Sequence, residues 1–223
     1  MTADPPHWRE VRDRLTAKRD SPTPEPQQRP PAPMTIEQVE AIVSVLDRHK
    51  VDYVMIGGIA AELHGAKIAR SLDLDVTPAA SRANRERIAR ALAELNATLR
   101  VPGGVPDGVE VHIDADWLER VTTATFNTDH GPFDLAFRPD GTDGYDDLVR
   151  SVVIVRVGAV DARLASLEDI VRSKTAAGRT KDELTLPALI ERLKVIRADL
   201  DRPKQNPESS AREPHGQAGS KCN

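Results

Sequence analysis

Two aspartates one residue apart, Asp73 and Asp75, lie in the run Ser71-Leu72-Asp73-Leu74-Asp75-Val76. Residues i and i+2 of a strand share a face, so this spacing predicts two carboxylates side by side, with Leu72, Leu74 and Val76 turned into the core. Anionic groups held that close repel unless a cation sits between them. Carboxylate oxygens are ligands for hard divalent ions, and Mg²⁺ usually brings substrate phosphates with it. Upstream, Tyr53-Val-Met-Ile56 reads as a buried strand entering Gly57-Gly58 and a short helix. A helix start offers unpaired N–H groups to an anion, and glycine lets that backbone come close to it. A phosphate cradle next to a carboxylate pair points to nucleoside triphosphate chemistry.

A third carboxylate follows in Gly131-Pro-Phe133-Asp134-Leu135-Ala-Phe137, where strand alternation puts Asp134 opposite Phe133, Leu135 and Phe137. If this strand lies beside the Asp73 strand, the three acids can hold two Mg²⁺ ions, with Asp134 as general base for an attacking hydroxyl. Each piece alone has a plainer reading: a simple Gly-Gly turn, a solvated Asp pair, an aspartate on an edge strand. Their order, strand, diglycine, helix, Asp-x-Asp and then a single Asp, favours the chemical one.

Basic residues gather further on, in Ser166-Leu-Glu-Asp-Ile-Val-Arg-Ser-Lys174-Thr-Ala-Ala-Gly178-Arg179-Thr-Lys181-Asp182. Ser166 can cap a helix and Gly178 can end it, which places Lys174, Arg179 and Lys181 around a helix terminus as a phosphate site. The plainer alternative is a set of solvated surface side chains. Asp182 is expected to cap the next helix. His64 has no Cys or His partner at ligand spacing and reads as structural.

These motifs resemble the minimal nucleotidyltransferases of the DNA polymerase β-like superfamily, and within it the AbiEii/MenT type, the nucleotidyltransferase toxins of bacterial toxin–antitoxin pairs. The likeness spans roughly Thr35 to Arg197. It implies metal binding by Asp73 and Asp75, a catalytic or metal role for Asp134, phosphate contact by Gly57 and Gly58, and nucleotide contact by Lys174, Arg179 and Lys181. It also implies an NTP substrate, Mg²⁺ (two ions, or Mn²⁺), the 3′ end of tRNA as acceptor and an antitoxin protein as partner. A small-molecule, antibiotic-like acceptor or a protein hydroxyl is the alternative, and a non-catalytic nucleotide- or partner-binding module is a third. Many relatives carry Ser where this chain has Gly58; Ser71, on the Asp73 face, is the candidate replacement.

The elements that must position these residues give an α/β (α+β) order: a nucleotidyltransferase-like mixed sheet backed by helices, with a C-terminal helical segment. Thr35 and Gln38 form a capping box for a helix with Ile36, Val39, Ile42, Val43 and Leu46 on one face. A helix is expected over about Arg82 to Leu95. Strands are expected near Thr98 to Val101, Val109 to Ile113, Thr123 to Asn127 and Val152 to Val157, before two final helices.

The 223-residue chain divides into a Pro-rich, disordered segment 1–34, with a short helix around Trp8 to Lys18, a nucleotidyltransferase domain 35–199, and a disordered polar tail 200–223. One cysteine, Cys222, excludes an intramolecular disulfide. No apolar run is long enough to span a bilayer and no signal-peptide core is visible, so the expectation is a cytoplasmic, bacterial protein without membrane contact. A net charge of −4 and 3% aromatic residues argue against a general nucleic-acid coat. An enzyme needs only a local basic groove.

Overall fold

A computed structural model describes residues 32–101, 103 and 107–201. The expected Trp8 helix, the proline-rich segment and the tail with Cys222 lie outside them. The chain divides into Met1–Ala32 and Pro33–Asn223, and the second unit carries the sheet.

The seven strands run β1 (Tyr53–Ile56), β2 (Leu74–Pro78), β3 (Thr98–Leu99), β4 (Thr123–Asn127), β5 (Phe133–Ala136), β6 (Val153–Val157) and β7 (Val160–Leu164). Their order across the sheet is β3-β4-β5-β2-β1-β7-β6. The sheet is mixed: β2 pairs parallel with β5 and β1 with β7, and the other neighbours are antiparallel. The helices are α1 (Ile36–Arg48), α2 (Gly57–Leu63), α3 (Arg82–Glu94), α4 (Ala115–Glu119), α5 (Tyr145–Leu148), α6 (Leu167–Ala177) and α7 (Thr180–Asp201).

The expected capping box is present at α1: the Thr35 hydroxyl accepts from Gln38 N–H at 3.3 Å and the Gln38 amide oxygen accepts from Thr35 N–H at 2.9 Å. α1 buries Val39, Ile42, Val43, Val45 and Leu46, whereas Ile36, expected on that face, is 49% exposed. Its first-turn position lies beyond the edge of the sheet-facing stripe. Asn84 ties α3 to the sheet. Its side chain accepts from Asp52 N–H and donates to the carbonyls of Asp52 and Ala79, all at 2.8 to 2.9 Å. Phe126, Phe133, Met55, Leu74, Ile88 and Leu92 fill the centre of the core.

Several expectations change. Asp73 lies in a bend just before β2, and Leu72 is 40% exposed instead of entering the core, because strand pairing begins only at Leu74, opposite Phe133. Residues 109–113 form no strand. Val109 makes one bridge to Leu99, and β3 is too short to template more. β7 was not anticipated; it closes a hairpin with β6 through Gly158, at φ +57°, and inserts between β6 and β1. α4, also unforeseen, is capped by Asp114, whose carboxylate accepts from Trp117 N–H at 2.7 Å. Met34 is buried and donates its N–H to the Ser71 carbonyl at 2.9 Å, and α7 extends to Asp201.

Candidate active site

The parallel register of β2 and β5 sets Asp75 directly beside Asp134. Leu74 and Val76 turn into the core, so Asp75 faces the opposite side, and Asp73 follows two residues back in the bend. On the other flank Ile56 is the antiparallel partner of Asp75, which brings the start of α2 against the carboxylate. Gly57 has φ +79°, and a Cβ on it would stand 2.1 Å from Asp75 Oδ2. Residue 57 must therefore be glycine for the aspartate to lie there. At Gly58 a Cβ would stand 1.9 Å from Ser71 Oγ. Ser71 thus fills the space that a side chain at position 58 would take, and its own N–H is held by the Glu62 carboxylate at 2.6 Å.

Burial, reinforced by the negative charges of Asp73 and Asp134, pushes the Asp75 carboxyl up to about 7, with Lys181 and Lys174 pulling the other way. Burial also raises Asp134 to about 6, against the opposing pull of the Arg100 guanidinium. Arg100 Nη2 donates to Asp134 Oδ1. Sequence reasoning missed this arginine, which stands 34 positions away and in no motif.

In donor type the acids suit a hard divalent cation, which would offset the repulsion that raises Asp75. In geometry they do not close around one point. Among the described residues no group of three His, Cys, Asp or Glu side chains is placed to hold a metal ion, and Asp134 is engaged by Arg100. Asp73 and Asp75 share the cleft, and neither makes an ion pair among the described residues.

The basic arm is built as the sequence implied, with one correction. The Ser166 hydroxyl caps α6 by accepting from Asp169 N–H at 3.1 Å, and Gly178 ends the helix in the left-handed region at φ +57°. Asp182 does not cap α7; it lies inside the helix, 3% exposed, and accepts from Lys174 Nζ at 2.7 Å. Arg179 reaches Asp140 at 3.3 Å and Asp182 at 3.8 Å. Lys181 is exposed and makes no ion pair among the described residues. His64 is structural: its Nε2 meets the Ala165 carbonyl at 2.8 Å, and its own carbonyl accepts from Arg192.

One cleft of about 590 Å³ brings the candidates together: Gly57, Gly58, Ser71, Asp73, Asp75, Asp134, Lys174, Arg179 and Lys181 all line it. Arg70, Arg138, Asp140 and Asp182 add charge to its wall, and Ile68, Leu72 and Leu184 add apolar surface.

Among solved structures, the lincosamide antibiotic adenylyltransferase LnuA, lincomycin-bound, superposes with a TM-score of 0.51 at 14% identity, covering 72% of this chain and 99% of that one. The fold is that of a nucleotidyltransferase. Two further structures align with lower TM-scores. The antibiotic-resistance factor ANT(2'')-Ia gives 0.46 at 14% identity, covering 74% of this chain and 90% of that one. An antigenic nucleotidyltransferase-like protein from Paracoccidioides brasiliensis gives 0.44 at 18% identity, covering 74% and 79%. No protein-family model matches the sequence, and no curated protein sequence does. No described helix is long and apolar enough to cross a membrane.

Proposed function

We propose that the chain is a nucleotidyltransferase moving a nucleoside monophosphate from an NTP to an acceptor hydroxyl. The observation that carries this reading is the single cleft lined by the diglycine turn, the three aspartates and the basic arm. Asp73 and Asp75 would hold Mg²⁺, or Mn²⁺ in its place, which when bound neutralises phosphate charge. Gly57 and Gly58 present backbone N–H groups to the triphosphate, and the Ser71 hydroxyl replaces the one absent at position 58. Lys174, Arg179 and Lys181 hold the remaining phosphate oxygens. Asp134 takes the acceptor proton. The acceptor oxygen bonds to the α-phosphorus, the bond from that phosphorus to the bridging oxygen breaks, and pyrophosphate leaves with the electron pair.

For the acceptor, the cleft wall offers Arg138, which is exposed and outside the set assigned to the triphosphate. Arg179 and Lys174 are paired with Asp140 and Asp182, Lys181 acts on Asp75 and Asp134, and Arg138 makes no ion pair among the described residues. An arginine in that place suits an RNA phosphate better than a polycationic antibiotic. With the resemblance to the AbiEii/MenT type, this supports tRNA as acceptor and a toxin role, neutralised by an antitoxin protein. A neutral small molecule is the second reading, since the cleft also carries apolar surface and the superposed adenylyltransferase is named for an antibiotic.

The test is incubation with Mg²⁺, total bacterial tRNA and each of the four NTPs labelled at the α-phosphate, beside an Asp73→Ala/Asp75→Ala control. Label on tRNA with the wild type alone is the expected result. Pyrophosphate release without labelled RNA would redirect the search to small acceptors, and no turnover with any acceptor would leave a binding module.

A further inference from the structure

Arg100 is built into place. Its N–H donates to the Thr125 carbonyl at 2.8 Å and its carbonyl accepts from the Thr125 hydroxyl at 3.3 Å, and Thr125 is the cross-strand partner of Asp134. Two backbone tethers thus deliver the guanidinium across β4 to Asp134 Oδ1, while Arg100 Nε is buried without a partner. Arg100 is not among the residues that line the cleft, whereas Asp134 and Thr125 are, so the arginine reaches Asp134 from the β4 side. A guanidinium stays charged under all ordinary conditions. Of the three carboxylates, Asp134 is the one with an ion-pair partner among the described residues. Among the described residues the side chains do not converge as a three-carboxylate ligand set would, and Asp73 and Asp75 are the two left without a guanidinium.

We infer that Arg100 is a positioning residue that stands in for a second metal ion at Asp134, so that this nucleotidyltransferase works with a single divalent cation. The inference rests on the proposed function. Asp134 is left with one oxygen held by Arg100 and one for the acceptor proton.

The experiment is equilibrium dialysis of the full-length protein against Mn²⁺ with a saturating, non-cleavable α,β-methylene NTP analogue. The wild type is expected to hold one Mn²⁺ per chain, Arg100→Lys also one, and Arg100→Ala two, because the freed Asp134 carboxylate becomes a ligand. In steady state Arg100→Ala should lower kcat and leave KM for NTP unchanged, with Arg100→Lys recovering most of the loss. Two Mn²⁺ in the wild type, or one in Arg100→Ala, overturns the inference while the transferase reading stands. So does a raised KM with unchanged kcat, which would make Arg100 a substrate contact. Analogue bound with no Mn²⁺ overturns both.

Discussion

Asp75 reaches the cleft because residue 57 has no side chain. Its φ of +79° already disfavours any other residue, by roughly 1 to 2 kcal/mol, and a methyl group would displace the carboxylate as well. Gly57→Ala is therefore expected to lose turnover and to unfold at a lower temperature, measured by activity assay and thermal melt. Gly58 differs: its φ is not in the left-handed region, and the obstruction to a side chain there is the Ser71 side chain, with Oγ at 1.9 Å and Cβ at 2.9 Å. A double-mutant cycle separates the two causes. Gly58→Ala should be destabilising in the wild type and tolerated with Ser71→Gly, giving a coupling of about 1 to 3 kcal/mol in denaturant melts. Additive effects would show that Ser71 does not occupy that space.

Between elements, the contact that matters most for the basic arm is the nearly buried Lys174–Asp182 pair joining α6 to α7. Removing the acid strands a lysine that is only 15% exposed. Asp182→Asn should cost about 3 kcal/mol in chemical unfolding. It should also raise KM for NTP, because Lys174 and Arg179 lose their shared anchor. Asp140 offers an internal control: its pair with Arg179 is more than half exposed on both sides, and such pairs contribute little. Asp140→Asn should leave stability nearly unchanged. Equal losses in the two variants would contradict this division of labour.

For the whole molecule, the carboxylate cluster ties stability to pH and to metal. In the folded chain Asp75 stands at about 7 and Asp134 at about 6, both raised from 3.8. A carboxylate raised on folding binds its proton more tightly in the folded state. Its contribution to stability is therefore full below the unfolded value and is lost as pH rises through the folded value. The cluster opposes folding most above about pH 7, where a cation that offsets the charge should stabilise the protein. Mg²⁺ is expected to raise Tm at about pH 8 and to do little at about pH 5. The Asp73→Asn/Asp75→Asn variant should show no Mg²⁺ gain at either pH. A gain independent of pH would point to a site elsewhere.

The sequence by itself determined the order of chemistry along the chain, because local physics writes it locally. The Thr35–Gln38 box, the diglycine between β1 and α2, the alternation around Asp134 and the caps at Ser166 and Gly178 are set by residues within a few positions of each other. The nine candidate residues read from the sequence are all among those that line the cleft, whereas Arg138 and Asp140 on the same wall carried no local signal. Only the tertiary structure decided what these side chains face, since long-range pairing leaves no periodic trace. Ser71 over Gly58, Arg100 on Asp134 and Asp182 under Lys174 join separate elements. The insertion of β7 beside β1 and the short pairing of β3 were likewise settled by which strands found partners. Asp73 and Asp75 were legible as a pair from spacing alone. That Asp75 is a strand residue in register with Asp134, while Asp73 hangs in the bend before it, followed from where sheet hydrogen bonding begins.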